Sequence, residues 1–597
     1  MERGSNSSRV TSYPAVKKSN NTTRTHRCHV ENIMFSPSLV SMIMHSIDEE
    51  VRREYRSSIF GRQFDTMADV AASLQTVLQN NLISNATIPI VAHFKQRGED
   101  FAVQIESYVD QGPLDPMTAI WGRVPLQRLV EYFILNYSRS PDDEYFDLGT
   151  PVYVAAASST YNQTCNQLFP KVADPPATNS SSPATVAAAV VDMGVSATRA
   201  PRDYSGKLHH VVTQNVDLSA HAEQVLSILL QRLDSKNVIS QAAISCALVV
   251  PPGANINPTR DCFDQACSPE ILAAVNAIEL RLTADGLPSV VNLSLGTHVG
   301  PHNGLSPVEK YICNTLSTSS RFVVAAAGND GLYGRAAKRS LTANEEDYIS
   351  LLTGTQCEEV LVEIWWKSSA SQTIDFSVEV FEISSSGGTT HHATLQLDPN
   401  AAGITLTQAS AAIPNTITHS LFQANCLQGF SCAAFAMTSQ KGTKLPRMQL
   451  EITVKSSTDT ILNSWIVVCE KESPLTLFVQ GGPDGTVTVP ATDPRVLSVA
   501  GVRASGRLWE GSSRGPAFEY EATSTATDSP MMAHRPDLGT HFGTSFASPR
   551  ACADALATLA QTAATCTDAK SLLAATYSPT RPLPQWDKRF GYHKQTS

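Results

Sequence analysis

Gly543-Thr544-Ser545-Phe546-Ala547-Ser548-Pro549 places a serine at a tight Gly-Thr turn, just ahead of a run of small and apolar residues. Ala547, Ala551, Ala553, Ala555, Leu556 and Leu559 suit a close-packed helix, so Ser545 falls at a helix N-terminus. The first N–H groups of a helix lack intrahelical acceptors, and the helix dipole adds positive potential there. That setting suits an oxygen that attacks a carbonyl and a second oxygen that carries developing negative charge. Pro549 is expected in the first turn, where a missing N–H costs nothing. The plain alternative is a serine-capped helix that only packs.

A nucleophilic serine needs a base, a carboxylate to orient that base, and a donor for the oxyanion. Val186-Ala187-Ala188-Ala189-Val190-Val191 reads as a buried parallel strand, too apolar for a half-exposed one. It ends in Asp192, a carboxylate at the sheet edge where open α/β folds place their sites. Ser219-Ala220-His221 leads into a helix with Val225, Leu226, Ile228, Leu229 and Leu233 on one face. His209 and His210 are rival bases, but no apolar helix directly follows either. Val290-Val291-Asn292-Leu293 is an apolar strand ending in Ser294-Leu295-Gly296. Arg321-Phe322-Val323-Val324-Ala325-Ala326 is another, ending in Ala327-Gly328-Asn329. An asparagine amide donates two hydrogen bonds and carries no titratable charge. Each residue alone also has a structural reading: Asp192 as a strand-end turn, His221 as a cap, Gly328-Asn329 as a turn pair.

Taken in order, Asp192, His221 and Ser545 follow the sequence of the triad in subtilisin-like serine peptidases (subtilases, the peptidase S8 family), which this chain resembles. Ser219-Ala220-His221-Ala222-Glu223 resembles the family's His-Gly-Thr-x-Val segment. Ser512-Ser513-Arg514-Gly515-Pro516 and Arg535-Pro536-Asp537 resemble its Ser-Ser-x-Gly-Pro and basic-Pro-Asp stretches. The resemblance implies a doubly covered parallel sheet and hydrolysis of peptide bonds through an acyl-enzyme. It makes Asp192, His221 and Ser545 the triad and Asn329 the oxyanion donor. It also implies that Ser294, Leu295 and Gly296 pair with the substrate backbone as an added strand, with Ala327 and Gly328 opposite. The low bulk of Ala325–Gly328 implies a wide space beside the substrate side chain. No metal or organic cofactor is required for the chemistry; calcium often stabilises the family, but no calcium site is legible. Departures are Met193 where Ser or Thr is usual, Ala222 and Glu223 beside the histidine, and the short Gly539–Phe542 link. They keep a second reading open: a catalytically weak or inactive protein that uses the fold for binding or regulation. An esterase on the same scaffold is a third.

The chain has 597 residues, 42% hydrophobic and 17% charged, which suits a globular protein with several cores. A net charge of −10 at this length argues against a nucleic-acid partner. The expected partner is a protein or peptide substrate. No run of 18 or more apolar residues suggests a membrane span. The first residues carry no apolar signal segment, which favours an intracellular location. The twelve cysteines show no zinc spacing and read mostly as buried thiols, with 262/267 and 426/432 close enough in sequence for disulfides.

Five regions follow. Residues 1–28 read as a disordered tail. Residues 29–150 form an α/β N-terminal region, in which 85–150 is compatible with an intramolecular inhibitory prodomain and 29–84 adds helix. Its expected elements are a strand at 88–94, a helix at 99–109, a strand at 119–124 and a helix from Leu126 to Leu135. Residues 180–335 and 486–597 carry the two parts of the α/β domain, strands alternating with helices at 221–234, 269–283 and 306–319. Between them, 336–485 shows period-two alternation with Gly, Ser and Asn breaks. This predicts an inserted antiparallel β-sandwich, resembling the jelly-roll insert of some subtilases. A rigid brace is its simplest role, with substrate binding the alternative.

Overall fold

The computed structural model describes residues 35–55, 63–64, 67–79, 86–94, 119–136, 144–149, 153–154, 183–196, 208–210, 216–249, 267–354, 357–369, 372–397, 404–408, 417–427, 429–439, 443–468, 476–503, 509–515, 531–534, 537–538, 541–562 and 566. The tail at 1–28, the helix expected at 99–109, Cys262, and Pro516 with Arg535-Pro536 lie outside them.

Apolar runs that alternate sides decide the central layer. Along Val186–Ser196, Ala187, Ala189 and Val191 pack on one face of the sheet, and Val186, Ala188 and Val190 on the other. A strand buried on both faces needs parallel neighbours and helices above and below. The sheet runs Met531–His534, Leu497–Gly501, Arg321–Ala326, Ser289–Leu293, Val186–Ser196, Ala242–Val249, Leu208–His210, and every pairing along it is parallel. Val216–Leu218 adds antiparallel to the far end of Val186–Ser196.

Helices Ala220–Ser235 and Thr544–Thr562 cover one face; Ser268–Asp285 and Pro307–Leu316 cover the other. Val290, Val291, Val323 and Val324 are wholly buried, each contributing about 1.5–3 kcal/mol relative to exposure. Bidentate Arg232 and Lys236 both pair with the buried Asp554 carboxylate and pin the first two helices together.

The region after Asn329, joined by the short strand Gln63–Phe64, folds into two antiparallel sheets. One runs Gln63–Phe64, Ile404–Gln408, Thr418–Leu427, Phe430–Thr438, Glu359–Lys367, Thr460–Val468, Ala336–Leu341. The other runs Thr389–Gln396, Ile374–Ile383, Met448–Ser456, Glu346–Leu352, Leu477–Phe478. Alternate residues such as Phe376, Val378 and Val380 point into the core between them. Cys426 and Cys432 sit on facing strands of the first sheet as free buried thiols, so no disulfide joins them. A third, three-stranded sheet orders Ala119–Pro125, Thr87–Phe94 and Glu144–Leu148, with helix Leu126–Asn136 following its first-named strand. Trp121 meets Tyr311 (ring centroids 4.4 Å apart), and Arg123 bonds Glu270 at 2.9 Å, which seats this sheet on helices Ser268–Asp285 and Pro307–Leu316. Helix Pro37–Tyr55 packs instead on the outer face of the first sandwich sheet, where Ser38 bonds Glu363 and Ser41 bonds Ser420.

Candidate active site

Three strands of the parallel sheet reach one edge, where Asp192 lies within Val186–Ser196 and Ser294 and Asn329 follow Ser289–Leu293 and Arg321–Ala326. Helices Ala220–Ser235 and Thr544–Thr562 lie on the same face and start at that edge, carrying His221 and Ser545. The histidine ring lies 5.6 Å from the ring of Phe546, the residue after Ser545.

Asp192 is fully buried, and its Oδ1 accepts from His221 Nδ1 at 2.7 Å. The same oxygen accepts from the Met193 backbone N–H at 2.7 Å. Oδ2 has no partner among the described residues. Ser219 caps the helix by accepting from the Ala222 N–H, which fixes the backbone around His221. With Nδ1 held by the carboxylate, His221 Nε2 points into the site and has no partner among the described residues. The rival histidines lie on a strand in register with Ser245 and Cys246, short of the level of Asp192, which pairs with Leu248.

Ser545 Oγ donates to the carbonyl of Ser294 at 2.8 Å rather than to His221. A reverse contact, from Ser294 to the Ser545 carbonyl, has its reason in Pro549. The helix begins at Thr544, so Pro549 sits beyond its first turn, contrary to the sequence expectation. Its missing N–H leaves the Ser545 carbonyl without the usual partner four residues on. Ser294 Oγ replaces it, donating to that carbonyl at 3.0 Å, and it also meets Ser548 Oγ at 3.0 Å and accepts from Asn292. Ser294 thus contacts the start of helix Thr544–Thr562 through both side chain and carbonyl.

Asn329 Oδ1 accepts from the Thr544 backbone N–H and from Thr544 Oγ1, at 3.0 and 3.1 Å. This fixes the plane of the carboxamide and leaves Nδ2 buried without a partner among the described residues. A buried donor without an acceptor is uncommon and calls for an explanation such as a reacting ligand.

Leu295 and Gly296 form an edge that is already filled. They pair antiparallel with Tyr153–Val154, in register Leu295 with Val154 and Gly296 with Tyr153. Opposite them, the backbone of Ala327 bonds Val499 and Thr488, and that of Gly328 bonds Ser513 and Thr544. A Cβ at Gly296 would come within 2.5 Å of Thr488 Oγ1, and one at Gly328 (φ +107°) within 2.8 Å of Thr488 Cγ2. Thr488 therefore packs against both Gly296 and Gly328. Sequence reasoning missed it because nothing near position 488 carries chemistry; its signal is packing between distant segments.

Among the described residues no cluster of His, Cys, Asp and Glu could hold a metal ion, and no helix is long and apolar enough to cross a membrane. No protein-family model and no curated protein matches the sequence. Among solved structures the chain is similar to the CspB protease of Clostridium perfringens: TM-score 0.49, 17% identity, covering 69% of this chain and 92% of that one. It is also similar to the epidermin leader peptide processing serine protease (EpiP) of Staphylococcus aureus: TM-score 0.35, 11% identity, covering 85% of this chain and 96% of that one.

Proposed function

We propose that this chain is a subtilisin-like serine endopeptidase. The observation that carries the reading is the pair of unpaired buried groups, His221 Nε2 and Asn329 Nδ2, beside a serine at a helix N-terminus. A base without a proton to take and an amide without an oxygen to hold are what acyl transfer needs before substrate arrives. In this reading Ser545 rotates off the Ser294 carbonyl, gives its proton to His221 and attacks the peptide carbonyl. Asp192 holds the imidazole in its tautomer and stabilises the imidazolium. Asn329 and the Ser545 N–H receive the oxyanion. His221 then returns the proton to the leaving amine, and water completes the second half.

We further infer that the N-terminal region is an intramolecular inhibitor. Tyr153–Val154 occupies the edge where an extended substrate would add, just after the sheet that sits on helices Ser268–Asp285 and Pro307–Leu316. Processing would then fall between Val154 and the first strand at Val186, and N-terminal sequencing of active protein tests this. An active protein that retains Met1 counts against removal by cleavage.

A second reading rests on one observation: the Ser545 hydroxyl is tied to Ser294, not to His221. A protein that keeps this bond permanently would be a binding or regulatory relative. Labelling with a fluorophosphonate separates the two. The peptidase reading expects covalent modification of wild type and none of Ser545→Ala. Absence of labelling in protein freed of its N-terminal region would favour the binding role.

A further inference from the structure

Asn329 is held at one end only by the contacts described so far. Thr544 sets the plane of its carboxamide, but the backbone that carries it depends on the residue after it. Asp330 N–H donates to Ser513 Oγ at 3.0 Å, and the Asp330 carboxylate accepts from His298 Nε2 at 2.9 Å. His298 is buried and stands two residues beyond Gly296, on the chain that leaves the edge strand. The bond therefore ties together the two segments that flank the proposed substrate position. Burial alone would push the Asp330 carboxyl up, but the His298 hydrogen bond and charge, with Arg335, hold it below the ordinary carboxylate range. Asp330 is thus an anion whose partner is His298.

His298 is backed in turn. Its ring stacks on His302 (centroids 5.4 Å, planes 17° apart), and His302 stacks on Trp465 (4.1 Å, 5°). His302 Nδ1 meets the Val487 carbonyl at 2.9 Å, and burial keeps this imidazole neutral. Trp465 belongs to the sandwich strand Thr460–Val468, and its indole N–H donates to Gly485. Between the two histidines the Gly300 N–H donates to the buried sandwich residue Glu363. An aromatic column thus runs from the inserted sandwich to the residue beside the oxyanion donor.

We propose that His298 and Asp330 are positioning residues that place the Asn329 amide, and that the sandwich supports them through His302 and Trp465. This rests on the peptidase reading. The sandwich then acts on catalysis without touching substrate. An error of about 1 Å in such a group can cost about 10²-fold in rate.

The test is steady-state hydrolysis of a peptide amide by protein expressed as the full chain and freed of its N-terminal region, with fluorophosphonate labelling of Ser545 run alongside. His298→Ala is expected to lower kcat about 10-fold to 100-fold with KM changed less than about twofold. His298→Gln, whose amide reaches the same carboxylate, is expected to restore kcat to within about threefold of wild type. In an Asn329→Ala background, His298→Ala is expected to change kcat by less than about twofold, because its effect runs through an amide already gone. Trp465→Ala is expected to act as a weaker His298→Ala, and Trp465→Phe, which keeps the stack, to be near wild type. Should His298→Ala not fold, Asp330→Asn read in the same two backgrounds replaces it. An equal loss with and without Asn329, or no rescue by glutamine, overturns the proposal while labelling of wild type leaves the peptidase reading intact. No labelling and no hydrolysis in wild type freed of its N-terminal region overturns both.

Discussion

The two faces of the parallel sheet are built from the same alternating strands but differ at their helix starts. On the face that carries Ser268–Asp285 and Pro307–Leu316, the helix starts are closed. Glu270 accepts from the Cys267 N–H at 2.7 Å, and Ser306 and Glu309 exchange bonds in a complete capping box. On the other face the starts carry His221 and Ser545, and three polar atoms stay unpaired there: Asp192 Oδ2, His221 Nε2 and Asn329 Nδ2. The difference teaches how one fold separates duties. Ser219 caps the His221 helix as well, so the faces differ not in capping but in these unpaired side-chain groups.

If that division holds, substitutions on the open side should act on rate and those on the closed side on stability. Ser545→Ala is expected to remove about 10⁶-fold of kcat while leaving the melting temperature within a few degrees, checked by calorimetry and peptide hydrolysis. Asn329→Ala is expected to lower kcat by about 10²–10³-fold with KM little changed.

Glu309 probes the closed side. Burial first, with the Asp493 charge adding and the Thr492 hydroxyl opposing, pushes its carboxyl from 4.5 up to about 7. The folded state thus holds this proton more tightly than the unfolded chain. Its contribution is therefore most favourable below pH 4.5 and is lost as pH rises through about 7, about 3 kcal/mol in all. Glu309→Gln is expected to flatten that decline in denaturant melts and to leave kcat unchanged. A large loss of kcat would break the comparison.

The smallest effect expected is at Ser219, the cap of the His221 helix. Ser219→Ala is expected to cost about 1 kcal/mol of stability. A loss of kcat larger than the stability change explains would show that the cap also orients the imidazole.

The alternation of apolar strands and helices was legible because burial on both faces writes itself into runs such as Val186–Val191 and Arg321–Ala326. The meeting of Asp192 with His221 was legible only through the order of residues in the family the chain resembles, since each alone also reads as a turn or a cap. What could not be read is non-local. Nothing in Tyr153-Val154 announces that it pairs with Leu295-Gly296. Thr488 gains its place only by packing between two glycines, and His298 only by reaching Asp330 across the site. Pro549 misled because a proline near a helix start is usually read as first-turn, whereas here its missing N–H frees a carbonyl that Ser294 takes.

The central claim is that Ser545 and His221 act as one unit although the resting hydroxyl bonds elsewhere. Its most direct test is kcat for Ser545→Ala, His221→Ala and the double variant on one peptide substrate. The account predicts that the double variant is no slower than the worse single one, because either change alone removes the nucleophile. Losses that multiply, or a His221→Ala variant as fast as wild type, would contradict it.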